Sequence, residues 1–329
     1  MKLRHFNLAG VGLEVSCKKQ DLIAPLLSLI GPWEVPHAIA GGPDYRLSVT
    51  REDHVDEPDG ETVFFRGHIA GDGPFHFAGC AQSWSIFTPD ELVARFDVEG
   101  GRADYVVAPA CQAATLSVAE SFALDHVLSV NGHAMVHAAC AETPDGTGRV
   151  ILHAPSGTGK TTTSLAMVGE GWKLCTDDAS VLSPEADGGV VVRGVPRAIK
   201  IHRKSAGMLP WLSQMLDGQA WDENGEQWVE RPTLFDQGYL ADDKPAPISA
   251  VIALRRTAGP MRLVKQDGVD AFTSIMEDNI SLSSAGLFPG HEQRMDVYSS
   301  ALGQADCYLL EINGSPQDAA ALITSELGR

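Results

Sequence analysis

Over the first 110 positions the apolar residues come in short runs, broken by Gly, Pro and acidic clusters. That spacing predicts a β-rich unit. Phe6–Ser16 (FNLAGVGLEVS) has loose two-residue alternation and reads as strand, as do Tyr45–Thr50, Thr62–His68, Phe75–Ala81, Trp84–Phe87 and Tyr105–Ala108. Leu92–Val98 fits helix or strand equally. Asp21–Ile30, an acid followed by a nearly continuous apolar run, predicts a short helix. Glu52–Glu61 is acidic and holds Pro58 and Gly60, so it reads as a solvated loop and not as a metal site.

The pattern changes after about residue 113. Leu116–Val130 has helical spacing and stops at Asn131-Gly132. Met135–Ala139 and Val150–Leu152 read as strands joined by the turn Pro144–Gly148. A glycine-bearing turn, Ser156–Thr161, then leads into a helix over Thr161–Glu170. Trp172–Thr176 is a short apolar strand that ends in Asp177-Asp178. Val190–Val192, Ile248–Leu254 and Tyr308–Ile312 read as further strands and Phe272–Leu287 as a helix. Ser315-Pro316-Gln317-Asp318 opens a C-terminal helix with a capping serine. Residues 205–245, with Trp211, Trp221 and Trp228, read as a lid, a peptide-binding loop or a small packed insert. The expected organisation is a β-rich α+β N-terminal domain over 1–112 and an α/β domain over 113–329.

The chemistry concentrates in the second part. Ser156-Gly157-Thr158-Gly159-Lys160-Thr161 follows a predicted strand and precedes a predicted helix, the context a Walker A loop requires. Its glycines allow backbone N–H groups to approach phosphate oxygens, and the helix start adds positive potential. Lys160 then reaches the β/γ-phosphates, and the Thr161 hydroxyl is placed for Mg²⁺. Ala154 stands where the full motif has its first Gly. Adjacent residues on a strand point to opposite sides, so Asp177 and Asp178 are expected to do different work. His133 and His137, four apart on a strand, would share a face, whereas His153 reads as structural. Arg193–Lys204 is the one strongly basic stretch, and Arg197 is its best candidate for a phosphate clamp.

Composition narrows the partners. The formal net charge is −18, which argues against nucleic acid or an anionic membrane as the main partner. There is no apolar run of transmembrane length, and Met1–His5 leads into no hydrophobic stretch, so a cytoplasmic protein is expected. The six cysteines show no C-x-x-C spacing and read as reduced thiols. In that compartment the sequons at Asn279 and Asn313 are chance matches.

The order of strand with His137, turn, glycine loop, helix and strand ending Asp-Asp resembles the HPr kinase/phosphorylase family and its shorter HPr-kinase-related members. The phosphoenolpyruvate carboxykinases share that core, and their SGTGKTT loop is similar to Ser156–Thr162 letter for letter. The likeness covers roughly residues 115–200. It implies a P-loop kinase core that binds ATP through Ser156, Gly157, Thr158, Gly159, Lys160, Thr161, Thr162 and Arg197. It implies Asp177 as general base, His137 and Lys160 as further catalytic residues, and Thr161 with Asp178 on Mg²⁺. The family's R-G-L-G signature survives only as Arg193-Gly194, closer to the Asp pair than the family has it. The expected activity is transfer of the γ-phosphoryl group to a serine-type hydroxyl of a protein or peptide, such as a ribosomally made one. A kinase of a small hydroxylated metabolite and a non-catalytic ATP-binding module are the alternatives. Self-association of the chain is left open.

Overall fold

The computed structural model describes residues 2–69, 72–279 and 290–328. It is a mixed α/β chain whose contacts divide it into two compact units. Among the described residues, the first holds 2–134 and 290–295, and the second holds 135–279 and 296–328.

The first unit is built on β1 (Lys2–Leu8), β2 (Val11–Cys17), β3 (Glu34–Val35), β4 (Tyr45–Arg51), β5 (Val63–Ile69), β6 (Asp72–Gly79), β7 (Ser83–Thr88), β8 (Leu92–Asp97) and β9 (Arg102–Val107). They form one sheet in the order β3-β1-β2-β4-β9-β8-β7-β6-β5. The run expected as one strand over Phe6–Ser16 is instead the tight hairpin β1–β2. Ala9 and Gly10 have φ of 59° and 107°, the left-handed pair that closes a two-residue hairpin. Leu92–Val98 resolves as strand, because Val93 and Ala94 each find partners on both β7 and β9. Glu52–Glu61 holds no helix or strand. The apolar run after Asp21 ends in the short helix α1 (Ala24–Ile30).

The sequence starts the second domain at residue 113, but the contacts place helix α2 (Ala113–Val130) with the first sheet. Two buried polar groups explain this. The Tyr105 hydroxyl on β9 donates to the Ala119 carbonyl of α2 at 2.8 Å. The His126 ring stands edge-on to Tyr45, Trp84 and Phe96 at centroid distances of 5.6, 5.3 and 5.2 Å. Trp84 and Phe96 are themselves stacked at 3.9 Å.

The second unit carries β10 (Ala134–Val136), β11 (Ala138–Glu142), β12 (Arg149–His153), β13 (Lys173–Thr176), β14 (Ser180–Pro184), β15 (Val190–Gly194), β16 (Ile199–His202), β17 (Glu226–Val229), β18 (Ala246–Arg256), β19 (Arg262–Lys265) and β20 (Asp306–Ile312). The main sheet runs β10-β14-β15-β18-β12-β11-β13, with β20 on β18 and β19 on β20. Its centre is parallel: β12 and β20 both run with β18. The helix α3 (Lys160–Gly169) buries Leu165, Ala166, Met167 and Val168 in one core with Leu152, Ile252 and Leu254 of these strands and with Ala319, Ala320 and Ile323 of the C-terminal helix. Each of the leucine, isoleucine, valine and methionine side chains contributes roughly 1.5–3 kcal/mol on burial.

The insert over 205–245 folds as α4 (Arg203–Met208), α5 (Pro210–Met215), β17 and α6 (Arg231–Phe235). Its end covers the open edge of β13: the Leu174 N–H donates to the Tyr239 carbonyl at 2.9 Å, and the Ala241 N–H donates back to Leu174 at 3.0 Å. Helix α7 (Gly268–Asn279) begins the helix expected over Phe272–Leu287, whose residues 280–287 lie outside the described residues. Helix α8 (His291–Gln304) precedes β20. The closing helix α9 (Pro316–Leu327) has the expected serine cap, made reciprocal by Asp318. No helix among the described residues is long and apolar enough to cross a membrane.

Burial lowers the His126 pKa to about 3, and the Arg294 guanidinium pushes the same way. The unfolded chain takes up a proton there below about pH 6.5, whereas the folded one does not. His126 therefore costs stability increasingly as pH falls from about 6.5 towards 3. The buried Glu120 carboxyl, pushed well up by desolvation, works in the opposite direction. We expect His126→Phe to flatten the acid limb of the stability curve, gaining about 2 kcal/mol over the parent at pH 5 and little at pH 7.5. Urea melts of both proteins at the two pH values would check this; an equal difference at both would refute the buried neutral imidazole.

Candidate active site

Strand β12 ends at His153, the chain turns through residues 154–159, and α3 starts at Lys160. Gly157 and Gly159 have φ of +79° and +120°, conformations that side chains with a β-carbon rarely adopt. A β-carbon at Gly157 would meet nothing within 4 Å, so the backbone there borders open space. Ser156 and Gly157 are exposed, and Thr158, Gly159, Thr161 and Thr162 are half-buried. The Thr162 hydroxyl is hydrogen-bonded to Ser205 of α4 at 2.7 Å, which ties the first turn of α3 to the insert. Lys160 is buried and directed inward: its Nζ donates to the His137 carbonyl at 3.4 Å and lies 3.8 Å from Asp178 Oδ1.

His137 is not on a strand. β10 ends at Val136 and β11 begins at Ala138, with His137 in the bend between them. The break is forced by pairing, because β10 lies beside β14 whereas β11 lies between β12 and β13. His133 precedes β10, so the expected common strand face for the two histidines does not form. The break frees the His137 peptide from the ladder. Its N–H donates to Asn279 Oδ1 of α7, and its carbonyl accepts from Lys160.

Asp177 and Asp178 follow directly on β13, as the apolar strand predicted. The Asp178 carboxylate takes His137 Nδ1 at 3.2 Å and Lys160 at 3.8 Å on Oδ1, and Arg197 Nη1 at 3.1 Å on Oδ2. Burial pushes its pKa up, but Arg197, His137, Lys160 and Lys200 outweigh it and hold the carboxyl below its ordinary value. Asp177 is 2% exposed, and its Oδ1 has no hydrogen-bond partner among the described residues. Burial, with the neighbouring Asp178 charge adding to it against Arg197, raises its pKa to about 6.

Arg197 reaches this point from the loop between β15 and β16. A β-carbon at Gly194 would lie 2.6 Å from the Cys175 carbonyl, so the glycine lets β15 end close against β13. Arg231 of the insert donates to the same carbonyl at 2.8 Å and pairs with Asp243. Trp228, 54% exposed on β17, lies under the Arg197 guanidinium at 5.6 Å and the Lys200 ammonium at 6.0 Å. Arg231 and Asn279 carry no sequence signal that points to this site, and Trp228 is marked only as part of the insert; pairing of β16 with β17 and packing of α7 bring them in. Among the described residues, no group of three or more His, Cys, Asp or Glu side chains is placed to hold a metal ion by itself.

No protein-family model matches this chain, and no curated protein matches it.

The folded protein keeps a proton on Asp177 up to about pH 6, whereas the unfolded chain releases it near pH 4. Stability therefore falls as pH rises through that window and stays lowered above it. We expect Asp177→Asn to be more stable than the parent by up to about 3 kcal/mol at pH 7.5, with the gain vanishing towards pH 4. Thermal unfolding of both proteins at pH 4 and 7.5 measures it; a pH-independent difference would contradict a buried charge.

Proposed function

We propose that this chain is an ATP-dependent kinase with a P-loop core of the HPr kinase type, acting on a serine-type hydroxyl of a protein or peptide. The observation that carries the reading is the convergence of Lys160, His137, Asp178 and Arg197, drawn from four separate segments, beside a glycine turn at the start of a helix. An anion-binding turn, a buried lysine and a two-carboxylate strand end are what phosphoryl transfer requires of a protein.

The residues fit the nucleotide and the metal. The Gly157 backbone borders open space, and the hard oxygen donors that would hold the metal are half-buried Thr161 and Asp178, whose carboxylate carries His137, Lys160 and Arg197. Mg²⁺ is held by one or two such protein ligands together with phosphates, so a cage of three protein side chains is not needed. When bound, Mg²⁺ supplies neutralisation of charge on the β- and γ-phosphate oxygens. The chain's own residues do the rest. Lys160 balances the phosphates from the helix side, and Arg197 and His137 set the Asp178 carboxylate. Asp177 takes the acceptor hydroxyl proton as the acceptor oxygen bonds to the γ-phosphorus and the β–γ bridging bond breaks, releasing ADP. A carboxylate whose pKa is about 6 is a stronger base than an ordinary one and is still ionised at neutral pH.

One observation favours a small hydroxylated acceptor as a second reading. A cleft of about 690 Å³ opens beside Pro155, with Lys265, Asp270, Thr273 and Glu277 on its walls. That volume suits a metabolite.

Lys160→Ala is expected to weaken ATP binding strongly while the fold persists; unchanged affinity by calorimetry would end the P-loop reading. Asp177→Asn is expected to bind Mg-ATP nearly as the parent does and to lose transfer by roughly two to four orders of magnitude. Single-turnover assays with labelled ATP against peptide and metabolite panels separate the readings. A parent that binds ATP and phosphorylates nothing in either panel would point to a binding module.

A further inference from the structure

The two arginines at the end of β18 look equivalent in the sequence, and the structure separates them. β18 runs parallel to β12 with Ala253 opposite His153. Beyond that pair β12 turns away into residues 154–159, while β18 continues through Leu254 and Arg255 to Arg256 alongside the turn. Successive strand residues point to opposite faces. Arg255, directly opposite Glu311 on β20, gives its guanidinium to that carboxylate at 2.6 Å. Arg256 shares the face of Leu254, which packs in the same core as α3. Its guanidinium therefore lies on the helix side of the sheet. A β-carbon added at Gly159 would sit 3.4 Å from Arg256 Nη2. Among the described residues Arg256 has no carboxylate partner.

An exposed arginine without a partner is ordinary on a protein surface. One held over the residue that caps a phosphate-type turn, in a chain of net charge −18, is placed for an anion. We infer that Arg256 is a second phosphate-contacting catalytic residue, meeting the polyphosphate of the nucleotide from the strand side while Lys160 meets it from the helix side. The inference rests on the kinase reading. Two cations on opposite sides of the turn neutralise charge that one lysine, already shared with Asp178, meets only in part. The glycine at 159 is required for its positive φ, and it leaves the Arg256 guanidinium in van der Waals reach of the turn.

The test compares Arg256→Ala, Arg256→Lys and Arg255→Gln with the parent. ATP affinity is taken by calorimetry, transfer by single-turnover assay, and folding by thermal midpoint. Arg256→Ala should keep the thermal midpoint, weaken ATP binding about tenfold and slow transfer at saturating ATP at least as much. Arg256→Lys should recover part of both losses. Arg255→Gln, which removes the same charge from the same strand end, should leave ATP affinity within about twofold, since its contact is to Glu311. A parent that binds and transfers while Arg256→Ala matches it would overturn the role of Arg256 and leave the kinase reading standing. Equal losses in Arg255→Gln would reduce the effect to general charge and also overturn it. A parent that does not bind ATP removes the kinase reading and this inference together.

Discussion

The Asp178 carboxylate is the point on which the second unit's polar architecture closes. An imidazole, an ammonium and a guanidinium meet on its two oxygens, each delivered by a different segment. None of these positions is independent. The break at His137 lets its carbonyl take Lys160, the Gly194 close approach brings the Arg197 loop in, and β13 ends where Asp178 must stand. In a chain with a large excess of acid, this local gathering of cations is what the proposed nucleotide site would draw on.

The neighbouring Asp177 obeys the opposite logic. It is buried, one of its oxygens has no partner among the described residues, and its charge is disfavoured by the site that surrounds it. A group chosen for packing would be paired or apolar. Retaining an ionisable acid there costs stability at neutral pH. The proposed role as base accounts for that cost, because the desolvation that destabilises the carboxylate is also what raises its basicity.

The insert between β16 and β18 supports the site at a distance. Its end completes the edge of β13, Arg231 holds the Cys175 carbonyl two residues before Asp177, and Trp228 underlies Arg197. Trp211 packs against the core and against Tyr239, so the tryptophans of this region divide between packing and the site.

The sequence by itself determined the local elements: the strand entering a glycine turn, the helix after it, the short strand ending in two acids, and the serine-capped last helix. These follow from side-chain periodicity and from backbone preferences of Gly, Pro and Ser, which act over a few residues and need no partner. The glycine turn and both aspartates were legible for that reason. The hairpin inside Phe6–Ser16 was blurred because an apolar run does not reveal a reversal that Ala9 and Gly10 make by positive φ. Only the tertiary structure decided that α2 belongs with the first sheet, through Tyr105 and His126. It alone decided that His137 stands at a break between strands, and that Arg255 is tied to Glu311 while Arg256 faces the turn. Each of these depends on which strands lie side by side across long stretches of chain, and pairing at that range is set by the burial of the whole sheet, not by any residue's own preference.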